Sequence, residues 1–417
     1  MRQFSKLALA CLGLVPGPAL AWDWSLSSTL SQTFELNDNQ FMRNMLAGGT
    51  LGSYSTVSAN AVALTPTSRL TVDGDVGYRK YWGPGTEGIS QTESDWVGIN
   101  SHYVTWGKNP DDQMFLDGSF RRSSTILGVL GDLGLLTNVH GDINRTSLQG
   151  GVQRSLSALD TISFSAGSAL TTYDPANSGT QFVDSTATTS WRHRVDLLTT
   201  VSLTSQLEWL NYDTTPVANL LLWQNTAGFE TTLSPVLSYG VNGGVIYSNA
   251  EIGSLSASPF VPPAFLAPVF ASGSAVGFVA DAHAIWRILK NTTLNLAAGQ
   301  TIAPSITGAL TKRAFLHAGV TQLINARSSI SVAGDISRQT SSGSTNDFLS
   351  GTVSYSYQLA REWNGSLTYR YLHRTATSGN FLLDPVTGLP TSTVGPASSN
   401  SLMMTVAKTT TIIPPEN

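Results

Sequence analysis

A period-two alternation of apolar and polar residues runs through this chain from Trp22 to about Thr410 and limits its folds more than any other feature. In the first stretch Trp22, Trp24, Leu26, Leu30, Phe34 and Leu36 share one face, while Asp23, Ser25, Ser27, Thr29, Ser31, Thr33 and Glu35 share the other. Successive side chains of a strand point to opposite faces, so each such segment separates an apolar medium from a polar one. The first half of the chain carries the pattern at residues 22–36, 50–64, 68–82, 93–106, 113–125, 142–156, 161–173, 183–196, 200–213, 221–234 and 238–249. The second half continues with 273–288, 292–302, 309–324, 328–339, 345–359, 364–376 and 397–410. That makes eighteen strands, with sixteen or twenty as alternative counts.

The connections alternate as regularly as the residues. Those after the even-numbered strands are tight, as at Thr65-Pro66-Thr67, Ala158-Leu159-Asp160, Lys290-Asn291 and Arg361-Glu362-Trp363. Several after odd-numbered strands are long and rich in Gly, Pro, Asn and Ser, including 250–272 and 378–396. Short turns at one end and long loops at the other predict an all-β fold: a single antiparallel up-and-down transmembrane barrel with both termini periplasmic. A hairpin of roughly 40 residues is the repeating unit, and strands open alike at 68–72, 160–164, 292–296 and 328–332.

Residues 1–21 read as a cleaved secretory signal peptide: Arg2 and Lys6 precede an apolar run from Leu7 to Val15, and Ala19-Leu20-Ala21 offers a small-residue cleavage site. The rival lipoprotein reading at Cys11 has a short apolar stretch and lacks the best −3 residue. The mature domain is then 22–417, and it loses Cys11, the chain's one cysteine. Disulfides, thiol nucleophiles and zinc–thiolate sites are thereby excluded. Setting aside Arg2 and Lys6 turns 23 basic residues into 21 against 27 acidic ones, a net charge of −6, which argues against nucleic acid as a partner. Charged residues are 12% of the chain, about half the usual quarter, and Ser, Thr, Gly and Asn fill the difference. No apolar run approaches the roughly 20 residues of a membrane helix, so any crossing of a bilayer is made by strands.

Tryptophans mark the two water–lipid boundaries of such a barrel. Trp22, Trp24, Trp106, Trp286 and Trp363 are expected at the short-turn end, Trp82, Trp96, Trp209 and Trp223 at the long-loop end, and Trp191 in mid-strand. Strands in lipid must close into a ring to satisfy their backbone groups, so the first and last are expected to pair, with Leu402, Met404 and Val406 on the outer face.

The polar face then lines an interior. Its expected charged members are Asp73, Asp75 and Arg79; Asp117 and Arg121; Arg145; Asp184, Arg192, Arg194 and Asp196; Glu208; Asp281, His283 and Arg287; and Arg370 and Arg374. Both signs are interspersed. They suit either a transverse field that orients a polar solute or mutual pairing that stiffens the wall, and pairing is the expectation for most single residues. Barrels of 16–18 strands leave an aqueous channel unless plugged, and no segment is large enough to be a plug domain. The loop 250–272, apolar at 259–265, fits an inward constriction and a contact with a partner or lipopolysaccharide equally well.

Catalytic signals are weak. His102, His140, His193, His283, His317 and His373 show no metal-binding spacing. Asp73/Asp75 and Asp111/Asp112 are local pairs suited to a wall and a turn, and 128–134 lacks a phosphate-loop lysine. The expectation is a non-enzymatic protein without cofactor or metal.

The hairpin from Arg145 to Phe164, the pattern at Ser68–Tyr78, the start at Trp22 and the overall plan resemble the β-barrel porins associated with bacterial exopolysaccharide loci. The resemblance is diffuse and covers most of the mature chain. It implies a barrel of about eighteen strands in the Gram-negative outer membrane, working beside periplasmic polysaccharide-export proteins on an exported polysaccharide. General or substrate-selective diffusion of small polar solutes is the alternative, and an adhesive barrel a third reading. Other expected partners are outer-membrane lipid, lipopolysaccharide and the barrel-assembly machinery. Many barrels present that machinery with a terminal aromatic residue, whereas this chain ends Ile412-Ile413-Pro414-Pro415-Glu416-Asn417.

Overall fold

A computed structural model describes residues 22–414 apart from 44–47, 90, 108, 110, 125–140, 176–180, 214–217, 253–272, 305–309, 342–343 and 378–395. The expected leader at 1–21, the stretch 128–134, His140, and nearly all of the loops 250–272 and 378–396 lie outside the described residues.

Among the described residues, eighteen strands follow one another in chain order. The first nine are β1 (Asp23–Asn37), β2 (Thr50–Thr65), β3 (Ser68–Trp82), β4 (Glu93–Trp106), β5 (Gln113–Ser124), β6 (Asp142–Ser155), β7 (Asp160–Asp174), β8 (Phe182–Arg194) and β9 (Thr199–Tyr212). The rest are β10 (Ala218–Ser234), β11 (Leu237–Ile252), β12 (Gly273–Leu289), β13 (Thr292–Pro304), β14 (Leu310–Asn325), β15 (Ser328–Ser341), β16 (Ser344–Gln358), β17 (Trp363–Thr377) and β18 (Ala397–Ile413). Each pairs antiparallel with its neighbours in sequence, and β1 also pairs with β18, so the sheet is a closed up-and-down barrel. Phe34 faces Met404 and Leu36 faces Leu402 across that seam.

Closure follows from the medium. An open edge in hydrocarbon would leave a row of backbone groups unsatisfied at several kcal/mol each. Strands of 12 to 17 residues exceed the roughly 9–11 that a tilted bilayer crossing needs. Among the described residues no helix is long and apolar enough to cross a membrane.

Boundaries agree with the alternation to within three residues. The largest differences lie where β10 begins at Ala218 and where β11 and β18 run on to Ile252 and Ile413. Asp196 is a correction: β8 stops at Arg194, and Asp196 sits in the turn that follows. Its carboxylate accepts the backbone N–H groups of Leu198 (2.7 Å) and Thr199 (2.8 Å). These bonds, that of Leu198 foremost, hold the Asp196 carboxyl below the ordinary carboxylate range. Thr65, Ser157 and Asn325 close other short turns in the same way, each accepting a backbone N–H two or three residues on.

The outer face is apolar. Leu30, Leu148, Phe164, Val276, Phe278 and Leu316 are all more than half exposed or at that level, as hydrocarbon-facing side chains should be. Trp24, Trp286 and Trp363 point outward at the short-turn end, and Trp82, Trp209 and Trp223 at the other. Trp191 departs from its expected place, while Trp96 and Trp106 keep theirs but face inward. Trp191 lies three residues from the end of β8, where its indole donates to Asp160 and stacks on His193, so it belongs to the short-turn boundary. Trp96 and Trp106 occupy strand ends but turn inward, because they alternate with outward Val97 and Thr105.

Candidate functional site

Asp196 apart, alternation along each strand puts the other fifteen charged residues singled out above on the inner face. Asp73, Asp75 and Arg79 alternate with outward Val72, Val76 and Tyr78, and Glu208 lies between outward Leu207 and Trp209. Most have a partner within the wall. Asp73 accepts from the Asn60 amide at 2.6 Å, Asp75 from the Trp96 indole at 2.9 Å and Asp281 from the Asn242 amide at 3.0 Å. Arg79 donates to the Ser94 hydroxyl at 2.7 Å, and Asp117 pairs with His102.

Two recesses gather several of these groups. One, of about 500 Å³, is lined by Asp73, His102, Asp117, Arg145 and Asp184. Arg145 lies 3.6 Å from Asp184 and directly opposite Arg121. The other, of about 440 Å³ towards the short turns, brings Arg192 and Arg194 together with Glu230 and His283. Arg287 stands apart at the lip, donating to the Pro235 carbonyl at 3.4 Å. Between β8 and β12 the inner face carries a buried apolar cluster instead: Phe182, Leu210, Leu220, Leu222, Ile246 and Val279.

Arg370 and Arg374 belong to a third constellation, which the sequence reading did not foresee. In the connection after β1, residues 38–43 fold into the barrel mouth. Phe41 and Met42 are 1% and 2% exposed, and Phe41 packs edge-on against Tyr81 with ring centroids 5.6 Å apart. Asn39 ties the segment down by donating to the Arg43 and Ser398 carbonyls at 2.8 and 2.9 Å. Met42 adopts a left-handed backbone (φ 51°), which costs a non-glycine residue roughly 1–2 kcal/mol and is held by its burial and by Arg374.

Beneath this segment lies Glu35, 2% exposed. It accepts from the Tyr54 hydroxyl, from the Asn37 amide at 3.0 Å and from Arg370 at 3.4 Å. Tyr54 and Tyr81 share a hydroxyl hydrogen bond of 2.9 Å, and Gln40 donates to Tyr81 at 3.0 Å. A buried carboxylate is tolerated only when so surrounded by donors. Alternation does place Glu35 on the polar face, but nothing local shows that 38–43 returns over it.

Other inner-face groups were also missed as charged wall members: Glu230, Arg313 and the pair His317–Asp335 at 2.6 Å. Of the aspartate pair in the β4–β5 turn, Asp112 accepts the Ser155 backbone N–H at 2.8 Å, a turn-holding role. Among the described residues no group of three or more His, Cys, Asp or Glu is placed to hold a metal ion.

Comparison with known proteins gives a likeness of fold alone. No family model matches the chain, and no curated protein does. The FrpB iron transporter of Neisseria meningitidis (F3-3 variant) superposes with a TM-score of 0.50 at 6% identity, over 93% of this chain and 81% of that one. The siderophore receptor PirA of Acinetobacter baumannii gives 0.49 at 7%, over 92% and 80%. OccK2 (OpdF) of Pseudomonas aeruginosa gives 0.48 at 10%, over 94% and 99%. The FrpB likeness places the fold among outer-membrane β-barrels.

Proposed function

We propose that this chain is a non-enzymatic outer-membrane channel for polar, hydroxyl-rich solutes, exported through a cleaved leader and seated with its short turns and termini in the periplasm. One observation carries this reading: a closed barrel that is apolar outside presents a charge-studded, Ser- and Thr-rich face inside. Barrels of this size enclose water, and a wall of paired charges and neutral hydrogen-bonding groups attracts polar cargo without trapping it.

For the cargo we favour an exported polysaccharide. Support comes from the likeness of the Arg145–Phe164 hairpin to barrels of exopolysaccharide loci, and from an inner face of neutral hydroxyls and amides. The short turns would then meet periplasmic polysaccharide-export proteins, and the outer surface lipid and lipopolysaccharide. Deleting the gene and quantifying extracellular polysaccharide tests this; the expected result is loss of surface polymer, and an unchanged yield rules it out.

The inward-folded 38–43 segment favours a second reading, since narrowing the mouth suits small solutes better than a polymer. That reading predicts slowed uptake of small polar solutes on deletion, with polymer export intact.

A further inference from the structure

Several inner-face glycines sit directly opposite long inward side chains, and the side chains lie over them. Trp96 faces Gly77 in the β3–β4 ladder, and two residue pairs further along, the next pair facing inward, Asp75 faces Gly98. The four form a box with a large residue and a glycine on each strand. Its two large members are joined diagonally by the Trp96 indole donating to Asp75 at 2.9 Å. A Cβ on Gly77 would fall inside the Trp96 indole, and one on Gly98 would lie 2.5 Å from the Asp75 carboxylate. The Arg79 guanidinium lies 5.8 Å from the centre of the same indole, a cation–π distance.

The same relation recurs across the barrel. Gly240 is paired with His283, whose ring would be 2.6 Å from a Cβ there. Gly228 is paired with Asn242, and Gly151 and Gly299 with Phe115 and Phe315. Gly243 and Gly351, which alternate onto the outer face, have nothing within 4 Å of a Cβ.

We infer that the inner glycines are seats that hold these rings flat against the wall and so set the bore. With a hydrogen at the seat, the ring spends its width along the wall. With a methyl group there, the pleated backbone behind cannot yield, and the side chain turns towards the axis. Trp96 would also lose its bond to Asp75. The conductance part of this inference rests on the channel reading; the seating itself does not.

The test compares the full barrel with Gly77→Ala, Gly240→Ala, Trp96→Ala, Gly77→Ala/Trp96→Ala and the outer-face control Gly351→Ala. In planar bilayers the expected result is lower single-channel conductance for Gly77→Ala and Gly240→Ala, with Gly351→Ala unchanged. The double variant should regain the conductance of Trp96→Ala, because without the ring nothing is left to displace. A conducting wild type whose conductance is unmoved by both inner substitutions overturns the inference and leaves the channel reading intact. A silent wild type sinks the channel reading instead, and the seating is then decided by the structure of Gly77→Ala. An indole displaced from the wall supports it, and an indole still flat over position 77 overturns it. Should Gly77→Ala fail to fold, the His283 ring in Gly240→Ala carries the same structural test.

Discussion

The Arg374 guanidinium donates to the Met42 carbonyl at 3.1 Å and is itself completely buried, so a strand near the end of the chain pins a loop near its beginning. The bond accounts for a residue in left-handed backbone and a turn folded inward. A hydrogen bond to a charged group is worth about 1.5–3 kcal/mol. Arg374→Ala should therefore loosen residues 38–43. Trypsin reads this directly, because Arg43 is buried in the intact barrel: cleavage after Arg43 should become faster in the variant. Equal cleavage rates would mean that Phe41 and Asn39 suffice to hold the segment.

Glu35 is the buried anion of the same region, and Arg370 is its cationic partner. Glu35→Gln keeps the shape and removes the charge, leaving Arg370 uncompensated beside the mouth. The expected outcome is a shift of ion selectivity towards anions, seen as a change of reversal potential across a salt gradient. An unmoved reversal potential would show that this pair does not contribute to the field felt by passing ions.

Ser147 and Leu148 are adjacent and face opposite ways, with Leu148 60% exposed on the outer surface and Ser147 bonded to Ser119 within the wall. An arginine on the lipid face costs up to about 2–4 kcal/mol near the bilayer centre, whereas one facing the interior is tolerated. Leu148→Arg should lower folding yield into lipid vesicles, while Ser147→Arg should fold normally. The reverse ranking would invert the assignment of the two faces.

Asp196 allows a pH prediction outside the strands. Because its folded pKa is depressed, the stability it adds is present above the unfolded carboxyl value and is lost as pH falls through the folded one. Asp196→Asn should thus lower the urea midpoint at neutral pH. The difference from wild type should vanish well below about pH 4, where the free carboxyl protonates. A difference that persists unchanged in acid would show that the anion is not what holds the turn.

Much of the barrel was legible because a strand between two media writes its facing into every residue. Leu70, Val72 and Val76 against Asp73, Asp75 and Arg79 is readable without any partner strand. What could not be read depends on register or on return of the chain. Gly77 acquires meaning only when it is known to face Trp96, nineteen positions on. Glu35 looks like any other polar-face residue until Phe41 and Tyr81 close over it. Trp191 was misplaced for a smaller reason: Arg194, Val195 and Asp196 continue the alternation into a turn, which made the strand look longer than it is.

The seam between β1 and β18 carries a further consequence. Thr29 and Thr409 share a hydroxyl hydrogen bond of 2.9 Å although 380 positions separate them. Local hairpins can form as each turn arrives, but the ring cannot shut until its final strand does. Among the described strands, the pairing most remote in sequence is therefore also the one that converts a curled ribbon into a finished wall. Contacts so remote in sequence make for slow, late-committing assembly, and any product lacking Ala397–Ile413 would keep β1 as a bare, adhesive edge.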